Sequence, residues 1–530
     1  MSEKTANGLS RRDLMKGVAI GAASVAAGGV LTGCKTEATA SAPAAWPSDV
    51  PSKWDREVEM LILGVGIAGA CAAVEAHDLG VEVLVIEKSN QIRGTCSISG
   101  GAICGAGTRR QKQNGIFDDV EVMIKDILRC GDDLGDPEII RAFAELSGNT
   151  IDWLEDMGCK FMPGVRPWPD LHTINRSHNS YPEGIGLGLM LGLESAIQKR
   201  GIEVEFETVA ARLYRQASGR VVGVQVKAKD GTIRNYRATK GVLLSTGGLG
   251  NNMEMWKKHS PVIRDVLKTA KKARGVYPPT ATGDGYPIAS EVNAYLYPVP
   301  ASYSTGGVEL SSDGFTTGSM LTYRWAEVGA IGLSADGKRF WNETSFIDYF
   351  VTRKFKDQPG MWQVLFFDDN VRQSPQGQQY AQPVIDKVLA NKHDTVKQAD
   401  TIEELAGKFG IPPEAARKTV DEWNSLVDAG GPDKLTGRTI MGAKIVKPPF
   451  WGVELSTIIG LAKGGCRINP KAQVIDNEFN LIPGLYAAGE MAFFQVHGSA
   501  RAHVPGGCNG AGANFGRIAA RSIAKEEVQA

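Results

Sequence analysis

Glycines at 64, 66 and 69, followed by a carboxylate at Glu87, have the types and spacing needed to hold a dinucleotide. In Met60-Leu-Ile-Leu-Gly-Val-Gly-Ile-Ala-Gly69, Gly64 permits a tight turn and Gly66 lets backbone approach a pyrophosphate. Gly69 lets a helix pack closely on the strand before it. N–H groups at that helix N-terminus, around Ile67 and Ala68, offer partial positive charge to phosphates. Glu87, 18 residues past Gly69, ends the run Val81-Glu-Val-Leu-Val-Ile-Glu87 and is placed to accept hydrogen bonds from a ribose. Such groups need strand, glycine turn, helix and strand in that order. The apolar run before Gly64, the helical Ala70 to His77 and the run ending at Glu87 supply it.

The residues ahead of this unit read as export machinery. Ser10-Arg-Arg-Asp-Leu-Met-Lys16 and the small-residue apolar run Gly17 to Val30 have the charged and hydrophobic regions of a signal. The paired arginines read as a twin-arginine signal, the route for folded proteins, which directs the chain to the periplasm or the outer face of the cytoplasmic membrane. Leu31-Thr-Gly-Cys34 resembles a lipoprotein processing site with Cys34 as the lipidated residue; ordinary signal cleavage is the alternative. Residues 35–54, rich in Ala, Ser and Pro, read as a linker.

About 480 residues remain, enough for two or three domains. Hydrophobic content of 42% and charged content of 22% suit a globular chain. A net charge of zero argues against nucleic acid or an anionic membrane surface as partner. Seven cysteines follow Cys34 without a Cys-x-x-Cys spacing, so neither a c-type haem nor a recognisable metal motif is expected.

Residues 55–291 alternate short apolar strands with helical segments, the style of an α/β domain. Val204 to Tyr214 and Gly219 to Lys227 read as an antiparallel excursion, and Gly241 to Gly248 as a buried strand ending in a turn. From 292 to 455 aromatics, prolines and polar helices such as Thr401 to Phe409 and Pro413 to Val427 take over. The α/β style returns over 456–530, with a closing helix Asn514 to Lys525. The fold expected is a Rossmann-like domain, in parts 55–291 and 456–530, interrupted by an α+β substrate-capping domain over 292–455.

Taken together the motifs resemble the FAD-binding family of fumarate reductases, succinate dehydrogenases and 3-ketosteroid Δ1-dehydrogenases. The resemblance rests on the glycine unit with Glu87, Arg93-Gly-Thr-Cys-Ser-Ile-Ser-Gly-Gly101 and Ser245-Thr-Gly-Gly-Leu-Gly-Asn-Asn252. It continues in Thr282-Gly-Asp-Gly285, Gly337-Lys-Arg-Phe-Trp-Asn-Glu343 and Gly484-Leu-Tyr-Ala-Ala-Gly-Glu490. It implies FAD as cofactor. Gly94, Thr95, Cys96, Ser99, Gly100 and Gly101 would run along the flavin, with Val209 beside the adenine. Lys88, Thr246, Gly247 and Asp284 would join the ribityl and phosphate contacts, and Gly489 and Glu490 would close the site. Cys96 and Cys104 suit small fillers better than redox centres.

Departures from the family restrict the substrate. The arginine of the family's Thr-Thr-Arg-Asp falls on Ile347 here, and the histidine before its Gly-Gly pair falls on Leu461. A further histidine is replaced by the run Tyr295 to Tyr303. Fumarate is a small dianion that needs such charges, because an unpaired carboxylate in a dry site is expensive. In Val496-His-Gly-Ser-Ala-Arg501-Ala-His503, either Arg501 or His503 takes the carboxylate-binding arginine's place, depending on the end counted from. The ketosteroid branch's catalytic tyrosine loop is absent.

Arg501 and His503 are thus the leading groups for substrate binding or proton transfer. Tyr303, Tyr323 and Tyr349 are candidate acids in the cap, and Lys463 could bind a carbonyl or carboxylate. The polar stretch Leu171 to Tyr181, with two histidines and Arg176, is either a solvated loop or part of the pocket mouth. The expected activity is reduction of the C=C bond of an enone or enoate other than fumarate, by hydride from flavin N5. Ketosteroid-like desaturation and a non-catalytic flavin relay are the alternatives. With no haem motif and no second nucleotide fingerprint, a membrane quinol acting through a separate cytochrome is the expected electron source.

Overall fold

The computed structural model describes residues 50–529 apart from 169–170, 183–184, 301, 311–314, 318–324, 346–352 and 500–503. The export signal with Cys34, and Tyr323, Ile347, Tyr349, Arg501 and His503, lie outside the described residues.

The strand Arg56–Leu63 sits at the centre of an eight-stranded sheet, paired in parallel with Val83–Ile86 on one side and Ile233–Leu244 on the other. Leu61 opposes Leu84 and Val242. Glu203–Glu205 and Leu481–Ala487 extend the parallel core outwards. A strand flanked on both edges and covered on both faces must be apolar throughout, which is why Met60 to Leu63 do not alternate. Leu61, Ile62 and Leu63 have no exposed surface, and each such burial contributes about 1.5–3 kcal/mol.

The expected excursion is divided. Glu203–Glu205 belongs to the parallel sheet, the chain turns at Glu207 with φ of 54°, and Thr208–Arg215 pairs antiparallel with Val221–Ala228. The closing helix begins at Gly507, seven residues before Asn514, and runs to Ala524. Its glycines lower helix propensity but permit contact with the helix Ile67–Asp78: a Cβ on Gly516 would lie 2.2 Å from the Ala68 carbonyl oxygen. Arg517 Nε donates to Glu75 Oε2 at 2.8 Å and locks the two helices.

A second, seven-stranded sheet centres on Phe450–Gly460, flanked by Ser302–Glu309 and Gln363–Phe367. Ala273–Gly275, from before residue 291, joins it in parallel. Phe450–Gly460 therefore runs straight through the 455/456 boundary read from the sequence. The helices Ile402–Phe409 and Pro413–Asp428 pack beside this sheet around Leu405, Val420 and Trp423. Their starts are set by Thr401, whose side chain accepts from Glu404 N, and by Pro413 in the first turn. The Gly337 to Glu343 motif serves this lobe's interior: buried Arg339 pairs with Glu343 and Asp433, each at 2.7 Å.

Candidate cofactor and substrate site

A cavity of about 710 Å³ opens at the carboxyl ends of the parallel strands, the usual ligand position in such sheets. Every cofactor residue named from the sequence lines it except Gly69. Gly69 faces the turn instead, where an added Cβ would lie 1.9 Å from the Gly64 carbonyl oxygen. It holds helix to strand and touches no ligand space. Gly64 itself has φ of 95°, which a side chain would strain.

One end of the cavity is built for phosphates. The helix Ile67–Asp78 starts at Gly66 without a side-chain cap, so its first N–H groups are left for a ligand. Glu87 is oriented by two backbone donors, Val65 N at 2.9 Å and Ser89 N at 2.8 Å. Lys88 Nζ reaches Asp284 Oδ2 at 2.6 Å, and Thr282 Oγ1 donates to Asp284 Oδ1 at 2.7 Å. Thr246 Oγ1 is buried on this wall without a hydrogen-bond partner among the described residues.

Along the middle, Gly94 has φ of 66° and a Cβ there would stand 2.9 Å from Gly66 Cα. Two segments of backbone thus meet with no room for side chains. At Gly100 a Cβ would meet open space on the cavity wall. Glu490 Oε2 accepts from Thr95 Oγ1 at 3.1 Å and from Gly248 N at 3.0 Å. Burial still pushes its carboxyl up to about 7, against the lowering effect of those donors and of Tyr277. Burial pushes the Cys96 thiol up to about 12, which suits a filler rather than a nucleophile.

The far end carries a second uncapped helix N-terminus. Gly506 precedes the helix Gly507–Ala524 in the left-handed region, and Gly506, Cys508 and Asn509 line the cavity. Asn509 Nδ2 is held by Ser99 Oγ at 3.1 Å and the Ala102 carbonyl at 2.9 Å. A cavity with two uncapped helix N-termini and side-chain-free backbone on its lining fits a flavin dinucleotide.

Arg166, Trp168, Val276, Tyr277, Ile458 and Phe493 were not evident from the sequence as lining residues. Leu461, by contrast, stands where the family's histidine falls, and Asn179 lies in the stretch read as a candidate pocket mouth. Arg166 stacks over Trp168, 4.6 Å from the ring centroid, and both line the cavity with Asn179. Val276, Tyr277, Ile458, Leu461 and Phe493 form an apolar wall. Leu461 sits there at φ of 55°, a strained conformation for a leucine.

Two expectations need correction. Lys463 does not line the cavity; it is fully buried, with no hydrogen-bond partner for Nζ among the described residues, and burial lowers its pKa. A desolvated amine facing the Cys508 and Cys130 thiols is poorly suited to clamp a substrate carboxylate. Of the two readings of the Leu171 to Tyr181 stretch, the solvated loop does not hold, and Asn179 lines the cavity. His172, Arg176 and His178 are buried. Arg176 makes a forked pair with Asp118 at 2.8 and 3.0 Å and reaches Asp126 at 2.5 Å. Burial drops both histidines to about 4, so they stay neutral.

The model of the FAD binding domain matches residues 59–503. The chain belongs to that family. It is similar to a cytochrome-type fumarate reductase of Shewanella frigidimarina, 30% identical over 476 residues, covering 88% of this chain and 77% of the relative. A digoxin reductase of Eggerthella lenta is 29% identical over 528 residues, 91% of each chain. Among solved structures, the open conformation of a flavocytochrome c3 fumarate reductase superposes with a TM-score of 0.74 at 26% identity, over 99% of this chain and 82% of that one. This family member is a flavoprotein reductase of the fumarate reductase family, an FAD-dependent oxidoreductase acting on C=C bonds.

Proposed function

We propose that this flavoprotein reduces the C=C bond of an α,β-unsaturated carbonyl or carboxylate bulkier and less charged than fumarate. The observation that carries this is Leu461, held at φ of 55° on the cavity wall beside Ile458, Tyr277 and Phe493. An apolar wall stands at the position where the family resemblance calls for a histidine. A dianion set against that wall would lose hydration, whereas an aryl acrylate or steroid-like enone would gain by burying apolar surface. The likeness to a digoxin reductase along 91% of both chains supports a substrate other than fumarate.

When bound, FAD supplies a hydride equivalent at its N5 position. Ile67 and Ala68 N–H groups would hold the pyrophosphate, Glu87 the ribose, Val209 the adenine, and Gly94 to Gly101 the ring system. The helix N-terminus at Gly507 would face the pyrimidine edge and favour negative charge there. The apolar wall excludes water from the substrate side. Arg501, His503 or backbone N–H groups hold the carbonyl in this reading, and the seven-stranded lobe caps the substrate.

We place the protein outside the cytoplasmic membrane, exported by its twin arginines and tethered through Cys34, with electrons from a membrane quinol through a separate cytochrome. Loss of membrane association in Cys34→Ser would support the tether, and unchanged fractionation would remove it. For the activity, reduced holoenzyme is mixed anaerobically with a panel of enones and enoates and flavin reoxidation is followed. Oxidation by several bulky acceptors supports the reading; no oxidation by any of them leaves only an electron relay.

A further inference from the structure

We propose that Tyr277 is the proton donor of this reduction and that Glu490 resupplies it, an assignment that rests on the C=C reduction proposed above. Tyr277 lines the cavity on the same wall as Leu461. Its ring is clamped: a Cβ on Gly250 would lie 1.8 Å from the ring, and one on Gly275 would lie 2.0 Å from the Gly250 carbonyl oxygen. The hydroxyl oxygen accepts from Ala462 N at 2.5 Å, next along the chain from Leu461. With that lone pair engaged, the O–H remains as a donor. Tyr286 is more deeply buried and does not line the cavity, so it lacks access to a substrate.

Glu490 lines the same cavity, and its carboxylate interacts with the Tyr277 hydroxyl. Burial raises the phenol well above its ordinary range, so it is fully protonated at neutral pH. The groups facing Glu490 are Tyr277, Tyr286 from the helix Gly285–Glu291 and Cys508 from the helix Gly507–Ala524, together with the neutral donors Thr95 and Gly248. Burial lifts both tyrosines above their usual range and the Cys508 thiol to about 11. Glu490, at about 7, is therefore the member of this set that exchanges a proton near neutrality.

The step balances as follows. Bound FAD would supply the hydride equivalent that bonds to the β-carbon, which sends the π pair of the C=C bond to the α-carbon. That pair takes the Tyr277 proton, so the O–H bond breaks and the α-C–H bond forms. The phenolate is stabilised by the Ala462 N–H. It regains a proton from the Glu490 carboxyl, which recovers its own from solvent.

Tyr277→Phe and Glu490→Gln holoenzymes test this with an enone or enoate that reoxidises the wild type. Tyr277→Phe should retain FAD while its reoxidation rate falls by about 10²–10⁴-fold, the usual weight of a positioned acid. The wild-type rate should fall as pH rises through about 7, and neither variant should show that limb. Infrared difference spectra give a readout without turnover. The protonated-carboxyl band absent from Glu490→Gln should be shifted in Tyr277→Phe. A Tyr277→Phe rate within about twofold of wild type, or a slow variant that keeps the wild-type pH limb and carboxyl band, would overturn the assignment and leave the parent reading standing. Failure of every acceptor to oxidise the wild type would overturn both.

Discussion

The Thr95 hydroxyl donates to the Glu490 carboxylate at 3.1 Å, joining segments 395 residues apart across the cofactor cavity. Gly248 N donates to the same oxygen at 3.0 Å, so three distant chain segments converge on one carboxyl. That convergence ties cofactor binding to a group whose charge changes near neutral pH.

Glu490 should therefore make stability depend on pH in a particular direction. Its folded pKa, about 7, lies above its unfolded value, so the folded protein holds the proton more tightly. Below the ordinary carboxylate range ionisation costs nothing; the cost grows as pH rises towards about 7 and persists above it. Denaturation midpoints of the apoproteins at about pH 5 and about pH 8 should show Glu490→Gln gaining on wild type as pH rises. A gap that stays constant would contradict this.

Gly94→Ala and Gly100→Ala should separate backbone strain from ligand exclusion. At Gly94 the left-handed backbone and the 2.9 Å approach to Gly66 both resist a side chain. A loss of about 1–3 kcal/mol in the apoprotein is expected from the backbone alone. At Gly100 a methyl meets open space, so the apoprotein should keep its stability while FAD content, read from visible absorbance, falls. Full FAD occupancy in Gly100→Ala would remove that segment from the cofactor surface.

Arg176→Leu should be severe. Among the described residues, it removes the cationic partner of buried Asp118 and leaves buried Asp126 with Arg129 as its remaining ion pair. Breaking such a network costs about 3–5 kcal/mol, readable as a shift in urea midpoint. A loss below about 1 kcal/mol would mean that water reaches the aspartates.

Lys463→Met should stabilise. Burial lowers this amine's pKa, so a cost of keeping it charged is present at neutral pH and disappears above the ordinary lysine range. Removing an unpaired buried polar group should gain on the order of 1–3 kcal/mol at neutral pH. Loss of turnover with FAD content intact would restore Lys463 to the substrate site.

The cofactor half of the site was legible because its signals are local. Gly64, Gly66, Gly69 and Glu87 lie within one strand–helix–strand unit, where spacing alone dictates geometry. Arg176 was not legible, since its partners stand 58 and 50 residues away and an arginine in a polar stretch looks solvated. The start of the closing helix is hidden in the sequence because Gly507, Gly510 and Gly512 lower helix propensity, whereas Gly512 and Gly516 let it pack on the helix Ile67–Asp78. The division of Val204 to Tyr214 hinged on Glu207, whose left-handed backbone carries no sequence signature. Tyr277 gave no sign in Val276-Tyr-Pro-Pro279, because its meaning lies in Gly250, Ala462 and Glu490, which only the tertiary fold brings to it.

The central claim is that the apolar wall around Leu461 selects a substrate bulkier than fumarate. The direct measurement compares anaerobic reoxidation of the reduced holoenzyme by an aryl acrylate, a cyclic enone and fumarate at equal concentration. An aryl acrylate or enone should oxidise it at least about tenfold faster than fumarate does, the scale on which pocket complementarity discriminates. Oxidation by fumarate alone would contradict the account.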